Sequence, residues 1–264
     1  MLLNSITDYI SEIKRIRKDW SSVDPYPDIW FRGSDDASLK LLPGAYWREN
    51  CDEISMASTF RAMSPMLLEP RPQNDWEWYY VMQHYGVPTR LLDWTESPLQ
   101  ALHFALTKTK LEENPCVWVL DPVALNYTTQ KSHIIYVPMA FDIYVNIDAW
   151  LPHRCYKDAE PENLNDHFFQ TNRDPIAIYP SRSNSRLFAQ RGTFTVHGTN
   201  PIPLEELGIS NQSGDERLHK LEFNKNSTKS LLEDLWALGV NMTTTFPEPA
   251  SIAADIKRMF GIED

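Results

Sequence analysis

Glycine is scarce in this chain, and cysteine is scarcer. There are nine glycines in 264 residues, and none builds a Gly-x-Gly-x-x-Gly dinucleotide turn, a phosphate-cradling P-loop or a Gly-x-Ser-x-Gly nucleophile elbow. The three cysteines, Cys51, Cys116 and Cys155, are odd in number and widely spaced, with no Cys-x-x-Cys. That excludes a disulfide framework and a cysteine zinc site, and it is the usage expected of a reducing compartment. The seven histidines form no metal-ligand pattern with acids or cysteines, so no metal is expected. An excess of positive charge is also missing. At a formal net charge of −11, stable nucleic-acid binding is not expected, because that affinity comes from neutralising phosphates; a local basic patch remains compatible with an acidic surface. No apolar run approaches the length that spans a bilayer. Charged residues begin at Asp8, Glu12, Lys14 and Arg15, too early for the apolar stretch of a signal peptide. The expectation is a cytoplasmic protein with no membrane partner.

What is present suits one folded unit. The apolar fraction of 42% and charged fraction of 23% are ordinary for a globular protein. Nineteen prolines imply many rigid loops, and nine tryptophans suit either a thick core or a groove that stacks planar ligands. Ile6, Tyr9, Ile10, Ile13 and Ile16 recur at helical spacing behind Ser5 as N-cap. Asp28 to Phe31 predicts a short strand. A helix is predicted from about Glu53 to Leu68, interrupted near Pro65, and another after Asp75, stopped by Gly86. Ser97-Pro98 is an N-cap followed by proline at the first helical position. Cys116 to Leu120, Ile176 to Tyr179 and Thr193 to His197 read as strands, and 227–239 and 251–260 as C-terminal helices. The stretch from Asn126 to about Thr171 has no sustained periodicity. The fold class is therefore α+β: a single domain over 1–264, with a modest mixed or antiparallel sheet flanked by helices.

Three segments carry residue types that suit chemistry. The first is Trp30-Phe31-Arg32-Gly33-Ser34. An arginine at a strand end offers a planar fork that fits a phosphate or carboxylate, and the glycine lets a ligand or another element approach the backbone. The alternative is a structural arginine paired with a carboxylate such as Asp93. The second runs from Gln83 to Leu99, as helix stop, rigid turn, short strand, polar-aromatic loop (Asp93-Trp94-Thr95-Glu96) and capped helix start. Here the alternative is a buried Arg90–Asp93 pair with Trp94 as core. The third, Ser181 to Phe194, holds Arg182, Arg186 and Arg191 and no acid; it is an anion site, a source of long-range salt bridges, or a solvated turn. The three segments together contain five arginines and no lysine, a preference for fork geometry over point charge. Pairing a cysteine nucleophile with His84 is a minor alternative, since the apolar neighbours of Cys116 suggest core.

Phe31-Arg32-Gly33 with Leu42-Pro43 and Arg48, then His84-Tyr85-Gly86-Val87-Pro88-Thr89-Arg90-Leu91-Leu92-Asp93-Trp94, then Ser185-Arg186 with Gln190, Gly192 and Phe194, resemble the FRG domain family over about residues 25–200. The resemblance implies a bacterial or phage-linked protein of the defence or toxin type, without fixing an activity. More distantly, the order of elements is similar to that of ADP-ribosyltransferases of the Arg-Ser-Glu type. Arg32 would match their arginine, Asp93-Trp94-Thr95 their Ser-Thr-Ser motif, and Phe104-Ala105 and Val117-Trp118-Val119 the next helix and strand. That resemblance implies NAD as substrate, ADP-ribose transfer, and a fold of that kind. Arg32, Asp93, Glu96 and Gln190 would then be the catalytic candidates. Arg32, Gly33, Tyr85, Arg90, Trp94, Thr95 and Arg186 would bind the cofactor, with Tyr85 or Trp94 stacking on a base. The sequence departs from the pattern where a glutamate is required and Gln190 stands. A neutral amide offers no negative charge to an oxocarbenium-like transition state. The competing expectation is a binding or sensing module for a phosphate-bearing ligand or a protein partner such as an antitoxin, a phage protein or a host protein.

Overall fold

The computed structural model describes residues 2–21, 27–107, 112–138, 147–154, 172–181 and 185–262. Arg182 and Cys155 lie outside them. The helices are α1 Ile6–Trp20, α2 Gly44–Trp47, α3 Glu53–Met63, α4 Asp75–His84, α5 Pro98–Leu106, α6 Pro122–Gln130, α7 Ser185–Ala189, α8 Thr228–Ala237, α9 Met242–Thr245 and α10 Pro249–Met259. The strands are β1 Trp30–Ser34, β2 Leu91–Thr95, β3 Cys116–Leu120, β4 Ile176–Ile178, β5 Gly192–Val196 and β6 Leu218–Glu222. They form one six-stranded sheet in the order β4-β5-β2-β1-β3-β6, antiparallel at every strand pair. The architecture is α+β.

Alternation along the strands divides the core. Phe31 of β1 and Val117 and Val119 of β3 face α1, α5 and α8, packing with Tyr9, Ile16, Leu102, Leu231 and Leu235. Leu91, Ile176, Ile178, Phe194 and Val196, on the other half of the sheet, pack with Trp76, Tyr79 and Tyr80 of α4. Trp30, Leu92, Trp94, Trp118 and Leu120 lie with Leu125 of α6 in a third cluster.

Two features shape the middle of the sheet. First, β1 and β2 meet in register at Phe31 and Thr95 alone, whereas β1–β3 and β2–β5 pair along their full length. The sheet therefore parts between its two halves. Second, α5 lies directly on β1 because Gly33 has no side chain. A Cβ there would stand 2.0 Å from the Ala101 carbonyl oxygen and 2.7 Å from the Ala105 nitrogen. The glycine of the first segment admits a helix backbone.

Several elements differ from the sequence reading. The α3 helix stops at Met63, short of the expected Leu68. Asn74, one residue before Asp75, caps α4 by accepting from Glu77 N at 2.9 Å. Asp93-Trp94-Thr95, read as a loop, is strand, held by full pairing with β5. Helix α6 is absent from the sequence reading; it starts directly after β3, where Asp121 accepts from Ala124 N at 2.9 Å. Strand β6, with its weak alternation, is absent from the sequence reading; it exists by pairing with β3.

Candidate functional site

A cavity of about 350 Å³ opens where β1 and β2 part. Phe31, Arg32 and Gly33 line it from β1, and Asp93, Trp94 and Thr95 from β2. Tyr80, Gln83 and His84 of α4 and Phe104 of α5 contribute from the two helix-covered halves, with Arg186, Leu187, Gln190, Phe194 and Phe246 completing the wall. All three sequence segments converge there.

Arg32 sits at the parting of the strands. Its Nη1 donates to the Asp93 backbone carbonyl at 2.6 Å, so a side chain bridges the gap where the backbone ladder stops. The same Nη1 lies 4.0 Å from the Asp93 carboxylate, and the Arg32 side chain keeps 28% of its surface exposed. Burial lowers its pKa from the ordinary value, with Asp93 opposing; an arginine so shifted remains a cation at neutral pH. Asp93 is held from the other side. Thr89 Oγ1 donates to Gln83 Oε1 at 2.5 Å, which turns the Gln83 amide so that Nε2 donates to Asp93 Oδ2 at 2.6 Å. Asp93 is the one carboxylate lining the cavity among the described residues.

The walls are aromatic. Tyr80 and Phe194 stack with ring centroids 5.1 Å apart and planes 7° from parallel. The Tyr80 hydroxyl is buried and has no hydrogen-bond partner among the described residues, and burial raises its pKa well above the ordinary value, so it stays a phenol. Trp94 is buried and donates from Nε1 to Thr195 Oγ1 at 3.1 Å. The Arg186 guanidinium lies over the Phe246 ring at 4.6 Å. Burial first, and Arg186 second, lower the pKa of His84, which is therefore neutral at pH 7.

Not every expected site residue reaches the cavity. Arg90 does not. It is 6% exposed, and its Nε donates to Glu53 Oε2 at 2.6 Å. Tyr79 donates its hydroxyl to the other oxygen of Glu53 and accepts from Arg90 N at 2.8 Å. The pairing expected for Arg90 is thus realised with Glu53 in place of Asp93, and Arg90 is structural. Glu96 lies outside the cavity, near Tyr179 Oη at 3.3 Å and Arg191 Nε at 3.5 Å; that pair also gives Arg191, expected without a local partner, its carboxylate. Tyr85 lines a neighbouring cavity instead. Gly33 lines the site with its backbone, but α5 is what demands a glycine. Gln190 lines the cavity and donates from Nε2 to the Thr245 carbonyl at 3.1 Å. That bond requires an amide, so the residue in place of a glutamate has a structural reason. Burial pushes the Cys116 thiol up to about 12 and also raises that of Cys51, which disfavours the thiolate at both.

Sequence reasoning missed Tyr80, Gln83, Phe104 and Phe246 as wall residues. Gln83 stands inside the second segment, and only the turn at Gly86-Val87-Pro88 brings it back over Asp93. Phe246 is far from every motif and gives no signal.

The chain is thus an α+β domain with a charged, aromatic cavity where its sheet parts. The family model for the FRG domain matches residues 27–114, and the chain carries an FRG domain. The match takes in the first two segments and α5 and stops before the third. No curated protein and no solved structure matches the chain.

Proposed function

We propose that the cavity between β1 and β2 binds a nucleotide of the NAD class. The observation that carries this is the combination in one space of two arginines from distant segments, Arg32 and Arg186, with an aromatic wall and one fixed carboxylate, Asp93. Guanidinium forks suit phosphate oxygens, aromatic faces suit a base, and the carboxylate accepts from ribose hydroxyls. The unsatisfied Tyr80 hydroxyl beside the cavity favours a polar ligand, since an orphaned buried donor costs about 1–3 kcal/mol that a bound acceptor would recover. If the site turns NAD over, Asp93 is the residue placed to stabilise the positive charge that develops on the ribose as nicotinamide leaves, with ADP-ribose passing to a macromolecule. An effector role of the defence or toxin type rests on the family resemblance.

A second reading, binding without turnover, is favoured by Gln190, whose amide stands where a transferase would carry its glutamate. Incubation with labelled NAD and a cell extract separates the two. Nicotinamide release and label transfer, both lost in Asp93→Asn, support transfer; saturable NAD binding with neither product supports a sensing module.

A further inference from the structure

A second cavity of about 330 Å³ lies against the first, lined by the 67–72 loop and the outer face of α4. The two share a wall made of His84 and Arg186, which line both. On the far side of that wall Tyr85 presents a ring that is 61% exposed. Glu69 and Glu77 line the same cavity, with Arg71 beside them.

Resting on the nucleotide reading of the first cavity, we propose that the two cavities are lobes of one dinucleotide site: the reactive nucleotide occupies the first, the diphosphate crosses at Arg186, and the second nucleoside occupies the other. The chemistry of each lobe sets this orientation. Arg186, held over Phe246, is the cation common to both lobes, where a bridging diphosphate must lie. The exposed Tyr85 ring offers a face to a second base. The two carboxylates accept from ribose hydroxyls and an exocyclic amine. The second lobe therefore takes the second nucleoside.

Calorimetry on the whole protein tests this with NAD and nicotinamide mononucleotide, on wild type and Tyr85→Ala. Tyr85 is exposed enough for its loss to leave the melting temperature unchanged. The expected result is NAD binding at least tenfold tighter than the mononucleotide, with Tyr85→Ala removing most of NAD's advantage and leaving mononucleotide affinity alone. Equal affinities for NAD and the mononucleotide in wild type, or a Tyr85→Ala effect shared by both, would overturn the two-lobed site while leaving the first cavity's reading intact. No binding of either to wild type would overturn both.

Discussion

Arg32 and Arg90 stand side by side as candidates in the sequence, and their surroundings assign them opposite tasks. Arg32 keeps part of its side chain exposed at a cavity and spends one donor on a backbone carbonyl. Arg90 is closed in by Glu53, Tyr79 and the core. Removing one partner of a buried pair leaves an uncompensated charge and costs roughly 3–5 kcal/mol. Arg90→Ala is therefore expected to lower the melting temperature by on the order of 10 °C, while Arg32→Ala stays within a few degrees of wild type. Calorimetric melting of both variants checks this; the reverse ranking would exchange their roles. Gln190→Glu carries a related expectation. The carboxylate cannot donate to the Thr245 carbonyl, so stability should fall by about 1–3 kcal/mol, read by urea unfolding, and an unchanged midpoint would show that the amide is not required.

Among the elements, the strand–helix contact at Gly33 is the tightest joint in the site. A methyl group there meets the α5 backbone, which cannot step aside without dragging α5 off β1 and Phe104 out of the cavity wall. Overpacking of this kind costs about 1–3 kcal/mol or more. Gly33→Ala should lose both stability and ligand binding, measured by denaturant midpoint and calorimetry. Retention of both would place the glycine's role elsewhere. Element by element, what can be read from the sequence tracks local information. Ser97-Pro98 announces α5 because cap and proline act within one turn, and the Ser97 hydroxyl does accept from Gln100 N. The same logic applied to Asp121-Pro122 would have found α6. By contrast, β6 and the strand character of Asp93-Trp94-Thr95 depend on partners far along the chain, β3 and β5, and no local pattern encodes a partner. The segments of the site are legible because arginines, glycines and prolines cluster there. That Arg90 turns inward is not legible, since Glu53 is a helix residue 37 positions away.

For the molecule as a whole, two buried histidines set a response to acid. Burial holds His103 at about 4 and His197 at about 3, both below the ordinary 6.5. In the unfolded chain each takes up a proton near its ordinary value; in the folded protein each stays neutral until lower pH. Their contribution is therefore fully present above pH 6.5 and is lost as pH falls toward 4 and then 3, by at most about 3 kcal/mol for His103 and about 5 kcal/mol for His197. Urea unfolding at steps from pH 7 to 4 should show a falling midpoint, flattened in His197→Gln. A level midpoint across that range would mean that the histidines are open to solvent. This acid sensitivity is separate from the cavity, which neither histidine lines.

On the proposed reading, one space at the parting of β1 and β2 holds a phosphate-bearing nucleotide through guanidinium groups brought from two distant segments. Isothermal titration of NAD into wild type, Arg32→Ala and Arg186→Ala tests that directly. A charge-assisted hydrogen bond is worth about 1.5–3 kcal/mol, so each substitution should weaken binding by about tenfold to a hundredfold, at a melting temperature close to wild type. Binding that is absent in wild type, or untouched in both variants, would contradict it.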